Sequence, residues 1–393
     1  MSEKAWIAGA GMVKFTKPGA HEGYEIMASK AVRAALADAG LDYSDVQEAY
    51  AGFCFGSSCS GQRAVYEVGM TGIPVFNVNN ACATGSSALW LARRAIMSGQ
   101  AECVLALGFD EMRPGPLGGG DDGRTVTVDH IWRRFDELGY PINTAMAAPS
   151  MFGSAGADYM QKYDAPAEIF AEVAVKTRRH AGANPMALFD KPLSVEEVMS
   201  APVLHEPYLT RLMACPPTCG AAAAIVVSPA FARRKGVKAP IAIAGQGMTT
   251  DAAATYGSAM DLVGREMSAR AARIAFEEAG LGPRDVQVVE MHDCFTPNEV
   301  INYEALGLCG EGEAAKMIAD GDNTYGGRVV TNPSGGLMSK GHPLGATGLA
   351  QCTELVQQLR GLADKRQVEG VRNALQHNIG LGGAAVVTVY QRA

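Results

Sequence analysis

One stretch of this chain is present twice. ASKAVRAALADAGLDYSDVQEAYAGFC runs from Ala28 to Cys54, and SARAARIAFEEAGLGPRDVQVVEMHDC runs from Ser268 to Cys294. At an offset of 240, Ala39-Gly40-Leu41 falls on Ala279-Gly280-Leu281 and Asp45-Val46-Gln47 on Asp285-Val286-Gln287. Each copy reads as an amphipathic helix stopped by glycine, then a short turn, then a β-branched strand. A shorter echo follows in the same order, since Ala83-Thr84-Gly85 matches Ala346-Thr347-Gly348, each leading from a loop of small residues into a helix. Two ordered matches predict a duplicated unit. Alternating helices and strands within each half predict layered α/β domains with mostly parallel sheets.

The halves are not contiguous. Between about Pro114 and Cys215 the texture changes, from the breaker-rich RPGPLGGGDDGRT to helical segments such as PAEIFAEVAVKTRRHAG and SVEEVMS. CGAAAAIVVSP then returns the chain to a buried strand, and APIAIAGQGM opens the second half after Lys235-Gly236. The expected organisation is a first half over 1–114, an inserted loop domain over 115–215, a return strand over 216–236 and a second half over 237–393.

A length of 393 residues supports two or three sizeable cores. A net charge of −7 without a basic cluster argues against nucleic acid as a partner. The apolar runs are too short to span a membrane, and the first residues lack a secretory pattern. Nine cysteines at irregular spacings in so large a chain fit reduced thiols, so a cytoplasmic setting is expected.

Cys82, in NNACATGSSALWLARRAIMSGQ, falls where a loop becomes a helix. Free backbone N–H groups and the positive end of the helix dipole favour the thiolate there. VVEMHDCFTPNE places His292, Asp293 and Cys294 directly after an apolar strand, the position where α/β folds bind ligands. His342 stands in a Gly- and Pro-rich loop before a helix, and HNIGLGGAAVVTVY provides a glycine turn whose backbone N–H groups can approach a substrate. Cys54, Cys59, Cys103, Cys309 and Cys352 are expected to pack as small hydrophobes. Cys215 and Cys219 are spaced like half a metal site with no second half, so no metal is expected. Lys176, Arg178, Arg179 and His180 of the insert are expected to form a solvated helix face, with contact to ligand phosphates as the alternative.

Together NACATGSSAL, HDCF, ALGLCGEGEA, GHPLGATG and the closing HNIGLGGAAVVTVY resemble the thiolase superfamily over essentially the whole chain, and within it the sterol-carrier type. The resemblance implies a thiolase fold, with two βαβαβαββ halves in an α-β-α-β-α core carrying an inserted loop domain. It implies reversible thiolysis or Claisen condensation of 3-oxoacyl-CoA through an acyl-cysteine, with acyl-CoA as substrate and no tightly bound cofactor. Cys82 takes the role of nucleophile, His342 that of base and oxyanion donor, and His292 that of oxyanion donor. Backbone N–H groups of Cys82 and Gly380 would form a second oxyanion hole. Ordinary thiolases carry an Asn-Glu-Ala-Phe box and a late Cys-x-Gly loop. Here the box is His-Asp-Cys-Phe and Asn378 stands where the late cysteine would fall, so the acid/base role passes to Cys294. A homodimer or dimer of dimers is expected.

Three other functions are weighed. A retro-aldolase acting on steroid side-chain CoA esters with a small partner protein resembles this chain but tends to lose the catalytic thiols. A lipid carrier would need a further domain, whereas this chain ends at Ala393 soon after its last strand. A ketoacyl synthase would leave HDCF unexplained. The acyl group is not legible.

Overall fold

Both copies of the repeat fold alike in the computed structural model, which describes residues 5–115 and 126–393. Helix α1 (Tyr24–Ala39) stops at Gly40 with φ 66°, a turn at Tyr43–Asp45 follows, and β2 (Glu48–Gly52) begins. In the second copy, α3 (Arg265–Ala279) stops at Gly280 with φ 68°, turns at Pro283–Asp285 and enters β9 (Val288–Glu290). The left-handed glycine lets the last helical carbonyls bond to the turn that follows.

Ten strands form one sheet. Its order is β10 (Val330–Thr331), β9, β11 (Asn373–Gly380), β12 (Ala384–Arg392), β8 (Ile241–Thr249), β1 (Trp6–Met12), β7 (Gly220–Val227), β4 (Cys103–Asp110), β2 and β3 (Val75–Val78). From the centre outwards the two halves have the same order, β1-β7-β4-β2-β3 against β8-β12-β11-β9-β10. Within the sheet they join at the pairs Trp6–Ala242 and Ile7–Ile241. The expectation of mostly parallel sheets needs correction. The four outer pairings are parallel, but β11–β12, β12–β8, β8–β1, β1–β7 and β7–β4 are antiparallel. The strand closing each half inserts beside the first strand rather than at the edge. In the second half it arrives by a hairpin, which joins only antiparallel neighbours.

Helices α2 (Thr84–Met97) and α4 (Thr347–Arg360) touch each other and strands of both halves, while α1 and α3 cover the outer faces. The result is α-β-α-β-α layering. The Ala-Thr-Gly echoes meet at the seam. A Cβ on Gly85 would lie 2.6 Å from the Gly345 carbonyl oxygen, and one on Gly348 would lie 2.4 Å from the Ser86 nitrogen. Only glycine permits this approach of the two helix starts.

Between β4 and β7 the described chain adds helices Asp129–Glu137, Ala147–Tyr163 and Glu168–Ala181 and a ribbon of β5 (Val203–His205) with β6 (Leu209–Thr210). Most of the breaker-rich entry, 116–125, lies outside the described residues. Phe135, Phe152 and Phe170 of this segment are fully buried in one core with Val289, Leu375 and Val387 of the second half. Each such ring contributes about 1.5–3 kcal/mol of burial free energy. An insert from one half is thereby anchored on the other. Among the described residues no helix is long and apolar enough to cross a membrane.

Candidate active site

A cavity of about 600 Å³ opens where the ends of β3, β9 and β11 meet the loop before α4, and Cys82, His292, Cys294 and His342 all line it. Donor atoms of Cys82, His292 and His342 lie within 4.8 Å of one another. The two imidazoles stand edge to face with centroids 5.1 Å apart. The duplication brings residues 260 positions apart in sequence to one point, because both helix starts belong to the central layer.

Cys82 is presented by a tight turn. Thr84 Oγ1 accepts the Asn80 N–H at 2.8 Å and donates to the Ala81 carbonyl at 2.6 Å, with Ala81 at φ 47°. Gly380 at the end of β11 packs on this turn, where a Cβ would fall 2.1 Å from the Asn80 carbonyl oxygen. A side chain at 380 would therefore push the turn, and Cys82 with it, out of place. His342 is placed by its backbone, which donates to Thr218 Oγ1 at 2.6 Å. Three residues on, Gly345 N–H donates to Asp110 Oδ2 at 2.5 Å, while Asp110 Oδ1 accepts the N–H groups of Cys54 and Phe55 at 2.9 and 2.8 Å. Asp110 thus ties the His342 loop to the first half. Burial pushes its carboxyl up to about 6.

The ring of His342 has a fixed tautomer. Thr347 Oγ1 donates its proton to the Pro343 carbonyl at 2.8 Å, so toward His342 Nδ1, 2.7 Å away, it can only accept. The proton is on Nδ1, and Nε2, buried and without a partner, carries a lone pair into the cavity. Burial lowers this imidazole to about 3, so it is neutral. His292 is also neutral, held well below its usual range by burial and then by its neighbours His342 and His377. Cys294 is 5% exposed, and its carbonyl accepts the Cys215 N–H at 2.8 Å.

One expectation about the thiols is overturned. Burial, followed by the neighbouring Cys215 thiol, raises Cys82, and burial raises Cys294 well above the ordinary range as well. The desolvation of a site sealed by the second half outweighs the helix-start effect. The resting pair is a protonated thiol facing a neutral imidazole.

The basic cluster of the insert also differs from a solvated face. Lys176 is 4% exposed, paired with Glu299 and donating to Thr331 Oγ1 at 2.6 Å. His180 is buried between the Asn332 carbonyl and Thr324 Oγ1. Arg179 donates to Thr324, and Arg178 reaches the cavity, stacked 5.0 Å from the Phe189 ring. The helix carrying them packs against Thr296–Ala305 and 336–340, which buries Lys176 and His180 and requires partners for them, while Arg179 stays exposed as expected. All nine cysteines are free thiols, with Cys103 and Cys352 buried, Cys54 and Cys309 half-buried and Cys59 exposed. Cys59 therefore does not pack as a small hydrophobe, because it caps a short surface helix at φ 64°.

A Cys-His-His set at this spacing has the donor types of a zinc site. A ligating histidine passes its other N–H to an acceptor. His342 satisfies that through Thr347, but His292 Nδ1 instead meets the amide nitrogen of Asn378 at 2.8 Å. The set suits proton transfer better than metal. Sequence reasoning missed Thr347, Asp110 and this contact of Asn378. The Ala-Thr-Gly echo was the one available signal for Thr347.

Comparison with known proteins follows the same lines. Residues 5–203 match the family model for the thiolase N-terminal domain, and residues 248–392 match that for a thiolase C-terminal domain-like unit. Sterol carrier protein 2 of Oryctolagus cuniculus is 50% identical over 99% of this chain and 72% of its own length. The solved Ltp2-ChsH2(DUF35) aldolase superposes with TM-score 0.82 at 26% identity, over 99% of this chain and 98% of that one. Human mitochondrial 3-ketoacyl-CoA thiolase, solved in complex with CoA, superposes with TM-score 0.75 at 18% identity over 100% and 98%, a likeness of fold.

Proposed function

This chain belongs to the thiolase family and is an acyltransferase by that kinship, and from that premise we propose that it carries out reversible thiolysis and Claisen condensation of 3-oxoacyl-CoA. The observation that carries the proposal is the convergence of two thiols and a lone-pair imidazole in one cavity. His342 Nε2 takes the Cys82 proton as sulfur attacks the keto carbon, which gives a tetrahedral oxyanion. Backbone N–H groups of Cys82 and Gly380 are suited to that oxygen by their adjacency. Collapse breaks the Cα–Cβ bond, leaving the acyl group on Cys82 and the acetyl-CoA enolate. The enolate oxygen is met by His292 and by the now protonated His342, and Cys294 protonates the carbanion. Cys294 thiolate then takes the proton of incoming CoA, whose sulfur displaces Cys82 from the acyl group. The departing Cys82 sulfur takes its proton back from His342 Nε2, which restores both thiols and the neutral imidazole.

CoA serves as substrate, without a tightly held cofactor. Lys17, Arg178 and Arg211 stand on the cavity wall and suit its phosphates, while Phe152 and Phe295, stacked at 5.0 Å, form an apolar wall for the acyl group. The first half over 1–114, the insert over 115–215, the return strand over 216–236 and the second half over 237–393 are the working units. A homodimer fits the open edge at β3, where Phe76, Tyr66 and Met70 are exposed. An uncovered apolar edge strand calls for a partner.

The second function is retro-aldol cleavage with a small partner protein, favoured by the superposition on the aldolase. Retention of Cys82 and Cys294 weighs against it. The experiment that separates them is thiolysis across a panel of 3-oxoacyl-CoA esters with mass spectrometry of the acylated enzyme. The adduct belongs on Cys82 and vanishes in Cys82→Ser. An adduct on Cys294, or turnover without any adduct, refutes the proposal.

A further inference from the structure

We infer that Asn378, standing where a thiolase of the ordinary type would have its late cysteine, is a positioning residue that fixes His292 as an Nε2–H donor. The inference rests on the thiolase function just proposed and deepens it.

The chain of hydrogen bonds that reaches His292 Nδ1 starts from one backbone carbonyl. The side-chain nitrogen of Gln376 lies 2.7 Å from the Gly348 carbonyl oxygen, which can only accept, so Nε2 is there and Oε1 faces Tyr390 OH at 2.5 Å. The second hydrogen of that amide goes to Ser86 Oγ at 2.8 Å. Ser86 Oγ has then accepted, and the acceptor within reach of its single proton is Asn378 Oδ1 at 3.0 Å. That orients the Asn378 amide with Nδ2 toward His292, where it donates to Nδ1 at 2.8 Å. A neutral imidazole that accepts at Nδ1 carries its proton on Nε2.

All members are buried, and they come from both halves. Ser86 is on α2, Gln376 and Asn378 are on β11, and Tyr390 is on β12. The two site imidazoles therefore hold opposite tautomers. His342 shows a lone pair to the thiol and His292 shows a proton to the enolate oxygen. A thiol at 378 would make a much weaker partner for the ring.

The test uses the full-length protein labelled with 15N-histidine. Nitrogen shifts and long-range couplings report which ring nitrogen of His292 is protonated, and His292→Asn identifies its signals. The wild type is expected to show Nε2–H. In Asn378→Asp the carboxylate still accepts from Ser86 but must also accept from the ring, so the proton moves to Nδ1. In parallel, kcat for thiolysis of acetoacetyl-CoA falls by about a hundredfold, the scale of one lost oxyanion donor, with KM within about threefold. Ser86→Ala, which leaves His292 and Asn378 untouched and frees the amide to turn, gives a mixture of tautomers and an intermediate kcat. It also serves if Asn378→Asp fails to fold. Pure Nε2–H in the folded variants, or Nδ1–H in the wild type, overturns the inference. Wild-type enzyme that forms no Cys82 acyl adduct instead overturns the proposed function and leaves the tautomer result standing.

Discussion

Thr347→Val removes one oxygen and keeps the shape of the side chain. In the wild type that oxygen accepts from His342 Nδ1–H and donates to the Pro343 carbonyl. The carbonyl does not become an orphan, because it also accepts the N–H groups of Ala346 and Thr347 at 3.0 Å each. The Nδ1–H does, and an unsatisfied buried donor costs about 1–3 kcal/mol. The ring escapes that cost by shifting its proton to Nε2, which removes the lone pair facing Cys82. At about 1.36 kcal/mol per factor of ten, the active tautomer drops by roughly 5- to 150-fold. Thiolysis kcat/KM should therefore fall by about ten- to a hundredfold. Alkylation of Cys82 by iodoacetamide, which uses the same base, should slow in parallel. Thr347→Ser keeps the oxygen and should behave like the wild type. The thermal midpoint of Thr347→Val should change little, since the ring relieves its own orphan. Alkylation within twofold of wild type in Thr347→Val would refute the tautomer argument, as would equal losses in the serine and valine variants.

Other outcomes follow from the same geometry. Cys294→Ala should lose about a hundred- to ten-thousandfold in turnover while Cys82 still accepts iodoacetamide, measured by thiolysis and mass mapping; near-normal turnover would move the acid/base role to another group. Asp110→Asn offers one oxygen to three backbone N–H groups that now share two, so chemical denaturation should show a loss of about 2–4 kcal/mol with kcat reduced through the His342 loop. His342, lowered to about 3, stays in its base form on acidification, so kcat/KM should lack a limb near the ordinary histidine value of about 6.5. A profile falling through that value refutes it. The stability sign is separate. A histidine lowered in the folded state binds its proton first in the unfolded chain, so His180, His342 and His377, each lowered to about 3, destabilise the fold progressively as pH drops below about 6.5. Asp110, raised to about 6, works the other way between about 6 and its unfolded value near 3.9. His180→Phe, which lies outside the site, isolates one histidine: its thermal midpoint should be less acid-sensitive than that of the wild type.

The parts of this molecule legible from sequence were those written locally. The glycine stops at Gly40 and Gly280, the loop-to-helix junction at Cys82 and the box after β9 are short-range signals, and they located the cavity. What long-range closure decides was illegible. Strand polarity followed from where β7 and β12 insert, and the charge state of Cys82 from how completely the second half buries it. The pairing of Lys176 with Glu299 depended on a helix contact across 123 positions. Asn378 stood out in the sequence only for the thiol it lacks. Its contact with His292, 86 residues away, exists only once β9 and β11 lie side by side.

The seam at Gly85 and Gly348 has a consequence for how such a chain can change over time. Thr84 and Thr347 hold equivalent positions in the two halves, and each hydroxyl donates to a carbonyl in the loop before its helix. One of those loops carries Cys82 and the other carries His342. The loops can therefore differ while the junction beneath them cannot, because a methyl group on either glycine would drive the two helix starts apart. A side chain at either glycine would move one helix start against the other and carry Cys82 away from His342, so the least conspicuous residues of the seam set the spacing of sulfur and imidazole.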